Sequence, residues 1–293
     1  MSADYPDDLR ELIEDYLGQL RFSVGPQTAG LDEAMLYSLL AGGKRVRPVL
    51  TLATARAIGL DPERVVPAAA AVELVHTYSL IHDDLPAMDD DDTRRGRPTL
   101  HRARGEDVAI LAGDGLFAEA IRLLCERQHG EPERVLAALA ELSGATGVDG
   151  MVGGQYLDVI GAASRPEAPL ELRELHARKT GRLISASVAI PLHLGGVSEV
   201  DRIPYERFAD ELGVLFQIVD DILDVTGSDR ELGKPQGSDE RHGKLTYVSR
   251  FGLEGARELA ARSHAQALAA LDGADGRTED LRLIADFIHT RQR

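Results

Sequence analysis

Three carboxylates interrupt an otherwise apolar segment, GVLFQIVDDILDVTG (residues 213–227), and any fold that buries this segment must give them partners. At about 100° per residue, Asp220 and Asp224 share one helical face, closely flanked in sequence by apolar residues on both sides. Ionised aspartates are almost never buried unless they are paired or bound to a metal. A purely structural explanation therefore requires two or more basic partners, and the pattern favours a metal.

A second concentration of carboxylates lies upstream. Ile81 to Thr99 reads IHDDLPAMDDDDTRRGRPT, an apolar run that ends in six aspartates and then turns basic. Alone, such a run is most simply a solvated acidic loop. Beside the first segment it acquires another use: divalent cations relieve the repulsion among the carboxylates, and the arginines clamp the outer oxygens of a phosphate-bearing ligand. Asp83 and Asp89 are six residues apart, about 240° around an ideal helix, so only a break near Pro86 lets both reach one set of ions.

Ala, Leu, Glu, Asp and Arg are abundant, Trp is absent, and alternating strand-like runs are hard to find, which points to an all-α protein. The net charge of −16 argues against nonspecific binding to nucleic acid or anionic membranes. The acidic N-terminal residues contain no apolar core of signal-peptide length, and we expect no stretch approaching the roughly 20 apolar residues of a membrane span. A soluble cytoplasmic protein is the expectation. One cysteine, Cys125, permits no internal disulfide and reads as a packing residue in a helix.

Helical patterns are expected over Asp7–Leu20, Leu31–Leu40, Pro67–Ile81, Asp107–Gln128, Pro132–Ser143, Leu170–Gly195, Ile203–Val225, Leu253–Leu271 and Thr278–Thr290. Gly42-Gly43 should close the second helix and Pro48 begin the next, so that Lys44, Arg45 and Arg47 precede a helix start suited to anions. Pro191 should kink or break its helix. The glycine-rich join GATGVDGMVGGQ lacks a following Gly-Lys-Ser/Thr and a preceding strand, so close helix packing is favoured over a phosphate loop. Residues 226–243 read as a mobile loop beside the second cluster, offering Lys234 and Lys244 to a phosphate ligand, with magnesium and diphosphate ordering it. No repeat or linker divides the chain, and a single domain spanning 1–293 is expected.

Together, GGKRVRP, DDLPAMDDDDTRRGRPT, GGQYLD, KTG, FQIVDDILD and LGKPQGSD followed by GKLTY resemble the trans-isoprenyl diphosphate synthase family in order and spacing from Gly42 to Tyr247. Leu85-Pro86-Ala87-Met88 between Asp84 and Asp89 resembles the bacterial farnesyl diphosphate synthase type, a feature shared with some geranylgeranyl diphosphate synthases. The resemblance implies an all-α bundle around a deep central cavity, in a homodimer, with the aspartate clusters facing each other across the mouth. It implies that Asp83, Asp84, Asp89, Asp220 and Asp224 hold magnesium, three ions when diphosphate is bound, with Asp221 supporting them. Arg94, Lys179, Thr180, Gln217 and Lys234 would bind the allylic diphosphate or steady its reacting end, and Lys244 would close over it. Lys44, Arg47, His76 and Arg95 would bind isopentenyl diphosphate.

Ionising an allylic C–O bond puts charge on the departing diphosphate, which magnesium, arginine and lysine are suited to stabilise. The double bond of isopentenyl diphosphate then attacks the allylic carbon, and proton loss completes condensation. Tyr78, five residues or roughly 7.5 Å before Asp83, is placed to form the cavity floor with the small Ser79 beside it. In the family this pattern resembles the farnesyl-producing one, so a C15 product is expected, with C20 as the alternative. A class I terpene cyclase needs no second basic pocket, and the Asp220 cluster together with GGKRVRP opposes it. His82-Asp83 alone is weak support for a phosphohydrolase, and the intact motifs oppose a non-catalytic partner subunit.

Overall fold

A computed structural model describes residues 5–163, 172–227 and 245–291, with backbone alone for 161–163. Lys234 and Lys244, and most of the 226–243 loop expectation, lie outside the described residues. The helices are α1 (Asp7–Gln19), α2 (Ala29–Leu39), α3 (Val46–Ala57), α4 (Val66–Asp83), α5 (Leu100–Arg104), α6 (Glu106–Glu126), α7 (Pro132–Thr146) and α8 (Met151–Ala163). They continue with α9 (Leu172–His176), α10 (Arg182–Gly195), α11 (Glu199–Thr226), α12 (Tyr247–Ala270) and α13 (Glu279–Thr290). The expected all-α class is the observed one.

At the centre, α4 is apolar nearly all round. Its run Ala68–Val72, with Leu74 and Val75, is wholly buried, and these mostly small side chains let it pack against α3 and α6. The other central helix, α11, packs along α12 and against α10. Its start is set by Ser198, whose hydroxyl accepts the Asp201 N–H, four residues earlier than the sequence pattern indicated. One continuous hydrophobic cluster joins these layers.

Four departures from expectation have physical causes. The segment around Leu170–Gly195 is interrupted at Ala177–Gly181, a single π turn, while α10 runs through Pro191. Ile190, Pro191 and Leu192 are buried, and this packing outweighs proline's cost of about 3 kcal/mol. The last long helix begins at Tyr247 and bends at Gly252, whose φ of 71° suits glycine. Cys125 is exposed and does not pack in the core, because its helix presents that position to the outside. Two stretches, Pro62–Asp83 and Pro132–Ile160, do reach the length and hydropathy of a membrane span, contrary to the sequence reading. The first is 72% buried inside the protein, as the core position of α4 requires, and the second contains the non-helical residues 147–150.

An unanticipated two-stranded hairpin, β1 (Thr93–Arg94) and β2 (Arg97–Pro98), pairs Thr93 with Pro98 and Arg94 with Arg97. Its two-residue turn is Arg95-Gly96, with φ of 53° and 72°. Both positive angles fit the twist of a tight hairpin. The arginines after the first aspartate cluster are thereby held on a folded-back ribbon.

Candidate active site

The end of α4 shows how a proline converts a helix into a ligand platform. Pro86 has no N–H, and the chain leaves the helix at Asp83 in a sequence of turns: Leu85 N–H donates to His82 O (3.2 Å) and Met88 N–H to Leu85 O (2.8 Å). The reversal closes with Asp89 N–H on Asp83 O at 2.8 Å. Asp83 and Asp89 are thus brought side by side, as a break near Pro86 requires.

Opposite them, Asp220 and Asp224 project from the uninterrupted α11. Both pairs line one cavity of about 740 Å³, together with Arg47, His76, Tyr78, Ser79, Arg94, Arg95, Lys179, Thr180 and Gln217. Residues far apart in sequence are therefore gathered around one cavity. Asp84 does not line this cavity; it is buried and accepts from Arg94 Nε at 2.7 Å, and Arg94 also reaches Asp91 at 3.4 Å. Burial pushes the Asp84 carboxyl up, more than Arg94 pulls it down. Burial lowers the Arg94 guanidinium as well, but the ion pairs with Asp84 and Asp91 leave it raised.

The basic side divides into locked and available groups. Arg45, left-handed at φ 52°, is buried and bound to Glu14, Glu73 (2.7 Å) and the Leu39 carbonyl (2.8 Å). It is therefore not available to an anion, contrary to the sequence reading of all three basic residues. Because α3 begins at Val46, Arg47 sits inside its first turn and projects into the cavity wall, where burial lowers it to about 10. Its Nη1 is 3.4 Å from His76 Nε2, and its Nε is buried without a hydrogen bond. Burial, then Arg47 and Arg95, hold His76 well below the ordinary histidine value, so the imidazole is neutral. Arg95 donates to the Gly42 carbonyl and lies against Gly43, where a Cβ would come within 2.9 Å of its guanidinium carbon. Lys44 is exposed, 5.5 Å from the Phe287 ring centroid, and does not line the cavity.

Across the cavity the π turn presents Lys179 and Thr180. Gly154 of the GGQ stretch makes this possible, since a Cβ there would lie 2.3 Å from the Lys179 backbone nitrogen. Close helix packing is indeed the use of that glycine. Lys179 pairs with Asp158, the Thr180 hydroxyl donates to Gln217 Oε1 (3.0 Å), and Gln217 Nε2 donates to Asp221 Oδ1 (2.7 Å). The other Asp221 oxygen accepts from Tyr247 N–H at 2.7 Å.

Sequence reasoning missed Arg291, which follows α13, donates to Asp220 and to Phe216 O (3.2 Å), and stacks on the Phe216 ring at 4.2 Å. A basic residue past the last helix was visible, but its contact 71 residues away was not. Asp158 was also missed, although it lies in the quoted GGQYLD.

On the cavity lining, five residues before Asp83 on α4, Tyr78 meets Phe117 edge-on at 5.4 Å and His82 at 5.8 Å. It both lines the cavity and packs against α6. Gly113 leaves room for the His82 ring, since a Cβ there would meet Nε2 at 2.1 Å.

Among the described residues no three carboxylate or imidazole groups converge as a ready metal site. The oxygen donors that line the mouth nevertheless fit a hard cation such as magnesium, which is commonly held by one or two carboxylates with water and substrate phosphate supplying the rest. The cavity lining carries both carboxylates and basic side chains.

The sequence profile described as Polyprenyl synthetase matches residues 28–280. The chain belongs to the polyprenyl synthetase family. Within it, a chloroplastic geranylgeranyl pyrophosphate synthase from Capsicum annuum is 47% identical over 263 residues, covering 89% of this chain and 71% of that one. A farnesyl diphosphate synthase from Geobacillus stearothermophilus is 47% identical over 232 residues, 78% of each chain. In three dimensions a Zymomonas mobilis FPP/GFPP synthase matches with a TM-score of 0.85 at 34% identity, over 99% of this chain and 100% of that one. A Helicobacter pylori geranyltransferase, solved with magnesium and isoprenyl diphosphate, matches at 0.83 and 32% identity, over 98% and 97%. This polyprenyl synthetase is a prenyltransferase, a short-chain trans-prenyl diphosphate synthase.

Proposed function

We propose that the chain makes farnesyl diphosphate, the C15 product, by condensing isopentenyl diphosphate with dimethylallyl and then geranyl diphosphate. The observation that carries the chain-length reading is Tyr78, whose ring occupies the cavity wall below Asp83 and is backed by Phe117 and His82. A bulky aromatic held by edge contacts to two further rings is suited to form the floor. The Capsicum annuum relative favours C20 instead, at an identity equal to that of the bacterial farnesyl enzyme.

In this reading Asp83, Asp89, Asp220 and Asp224 hold magnesium, three ions with diphosphate bound, and Asp84 acts from behind through Arg94. Bound magnesium neutralises the charge that develops on the departing diphosphate. Arg94 and Lys179 leave or share their carboxylate partners to bind that diphosphate, joined by Lys234 and Lys244. Arg47, Arg95 and neutral His76, with Lys44 from the loop just before α3, bind isopentenyl diphosphate. Thr180 and Gln217 turn oxygen dipoles to the allylic cation, and Met151, Val152 and Leu223 on the wall exclude water. Attack by the isopentenyl double bond forms the new C–C bond, and the released diphosphate takes the proton.

The reading extends to a homodimer, supported by exposed Ile110 and Leu111 on α6. The test is to incubate the protein with magnesium, isopentenyl diphosphate and, separately, dimethylallyl, geranyl and farnesyl diphosphate, and to identify products by mass spectrometry. C15 from the two shorter starters supports the proposal; C20 overturns the chain-length reading and keeps the chemistry. Tyr78→Ala should lengthen the product, and an unchanged C15 product from a folded variant removes Tyr78 from the floor.

A further inference from the structure

Three adjacent carboxylate positions on α11 do not face the same way. Asp220 and Asp224 are one turn apart and line the cavity, whereas Asp221 is rotated by about 100° and is 1% exposed. On that second face it stands one turn beyond Gln217. Its Oδ1 accepts from the Gln217 amide at 2.7 Å and its Oδ2 from the Tyr247 backbone N–H at 2.7 Å.

These contacts fix a direction. A carboxylate only accepts, so the Gln217 atom facing it must be the NH2 group and the amide oxygen must point the other way. That oxygen meets Thr180 at 3.0 Å, and the hydroxyl must spend its one proton on it. Thr180 and Gln217 both line the cavity. With its hydrogen committed to Gln217, the Thr180 oxygen keeps only lone pairs for anything else, and the Gln217 oxygen cannot be exchanged for its amide nitrogen. Without Asp221 the amide is free to rotate by 180°, which would replace an electron-rich oxygen with a positively polarised N–H beside an electron-poor carbon.

We propose that Asp221 is a positioning residue that sets the polarity of the Gln217–Thr180 pair towards the reacting allylic carbon, and that it is not a magnesium ligand. The inference rests on the prenyl-transfer reading given above. Such preorganised dipoles act where charge develops, so their orientation belongs in kcat more than in binding.

The test compares Asp221→Asn, which keeps the shape but can donate as well as accept, with Gln217→Leu and the double variant, in the full-length protein. Two readouts are used: steady-state kinetics with geranyl and isopentenyl diphosphate, and calorimetric binding of inorganic pyrophosphate across a magnesium titration. Asp221→Asn should lower kcat by about 10²-fold, leaving both KM values and magnesium-dependent pyrophosphate affinity within about threefold. The double variant should fall within about threefold of Gln217→Leu alone, because both changes break one unit. A tenfold or greater loss of magnesium-dependent pyrophosphate affinity in Asp221→Asn overturns the proposal, as do additive effects. If Asp221→Asn does not fold, Gln217→Leu decides: a kcat loss below threefold overturns the proposal and a loss near 10²-fold at unchanged KM sustains it. If the wild-type protein performs no condensation, the functional reading fails, and calorimetry still reports whether Asp221 holds the metal.

Discussion

The first aspartate cluster hangs from a helix that ends, and the second stands on a helix that does not. Pro86 terminates α4, and a chain of turns folds Asp89 back onto the Asp83 carbonyl. By contrast, α11 continues through Asp220, Asp221 and Asp224 to Thr226 and separates its carboxylates only by helical phase. Their counter-charges differ in the same way. The first cluster carries its cation locally, Arg94 on the adjoining hairpin, while the second receives one from the distant end of the chain, Arg291. The difference teaches that two chemically similar motifs can be positioned by unrelated means. One is set by local backbone geometry and the other by long-range packing.

The strongest way to break this comparison is to remove one carboxylate from each side. If both clusters serve one set of ions, Asp83→Ala and Asp224→Ala should each lower kcat by about 10³-fold, with far-ultraviolet circular dichroism unchanged. A loss below tenfold on one side alone would show that the clusters do not share the ligand.

Two half-buried neutral histidines flank the site, His76 on the cavity wall and His176 beside the π turn, stacked on Tyr247. Burial holds both below the ordinary value of 6.5, His176 at about 4. An imidazole depressed in the fold binds its proton more readily when unfolded, so stability is intact above pH 6.5 and is lost as the pH falls towards the folded value. For His176 the loss should approach about 3 kcal/mol by pH 4, at about 1.4 kcal/mol per unit. Urea unfolding between pH 7 and pH 4 checks this: His176→Gln should flatten part of the slope and His76→Gln another part. A slope unchanged in both variants would leave the acid sensitivity to the carboxylates.

Next in size is the local counter-charge. Arg94→Met strands Asp84, which is 4% exposed, and should cost about 2 kcal/mol of unfolding free energy in metal-free buffer. Removing Asp84 as well, in Arg94→Met/Asp84→Asn, should restore most of that loss. Without such recovery, the pair would not be what holds the turn after α4.

The same contrast explains what could be read from the sequence. The expected break near Pro86, the shared face of Asp220 and Asp224 and the close packing at the GGQ glycines all follow from local rules of helix geometry and residue shape, and all are present. Arg45 and Arg47 differ by two positions and look equivalent in GGKRVRP, yet one is consumed by Glu14 and Glu73 and the other faces the cavity. That distinction depends on which carboxylates arrive from α1 and α4. Pro191 failed as a break for the same reason, since tertiary packing outweighed local preference. The Arg95-Gly96 turn was locally legible in retrospect, because a glycine between arginines in a short polar stretch is a hairpin signal that the surrounding charges obscured. Arg291 had no local signal for its target.

Arg291 also gives the finest discrimination between the two clusters. Its guanidinium donates to Asp220 and stacks on Phe216, so it occupies the charge that a cation arriving at Asp220 must also use. Arg94 pairs instead with Asp84, which lies behind the cavity-lining Asp83 and Asp89. Binding of magnesium at Asp220 therefore competes with an internal cation. Arg291→Ala should tighten the magnesium dependence of pyrophosphate binding by about threefold, the scale of a partly exposed ion pair worth less than about 1 kcal/mol. Fluorescence or calorimetric titration with magnesium at fixed pyrophosphate measures it. Weaker binding in Arg291→Ala would instead show that Arg291 contacts the anion directly, and that the cation closing the second cluster serves the ligand more than it opposes the metal.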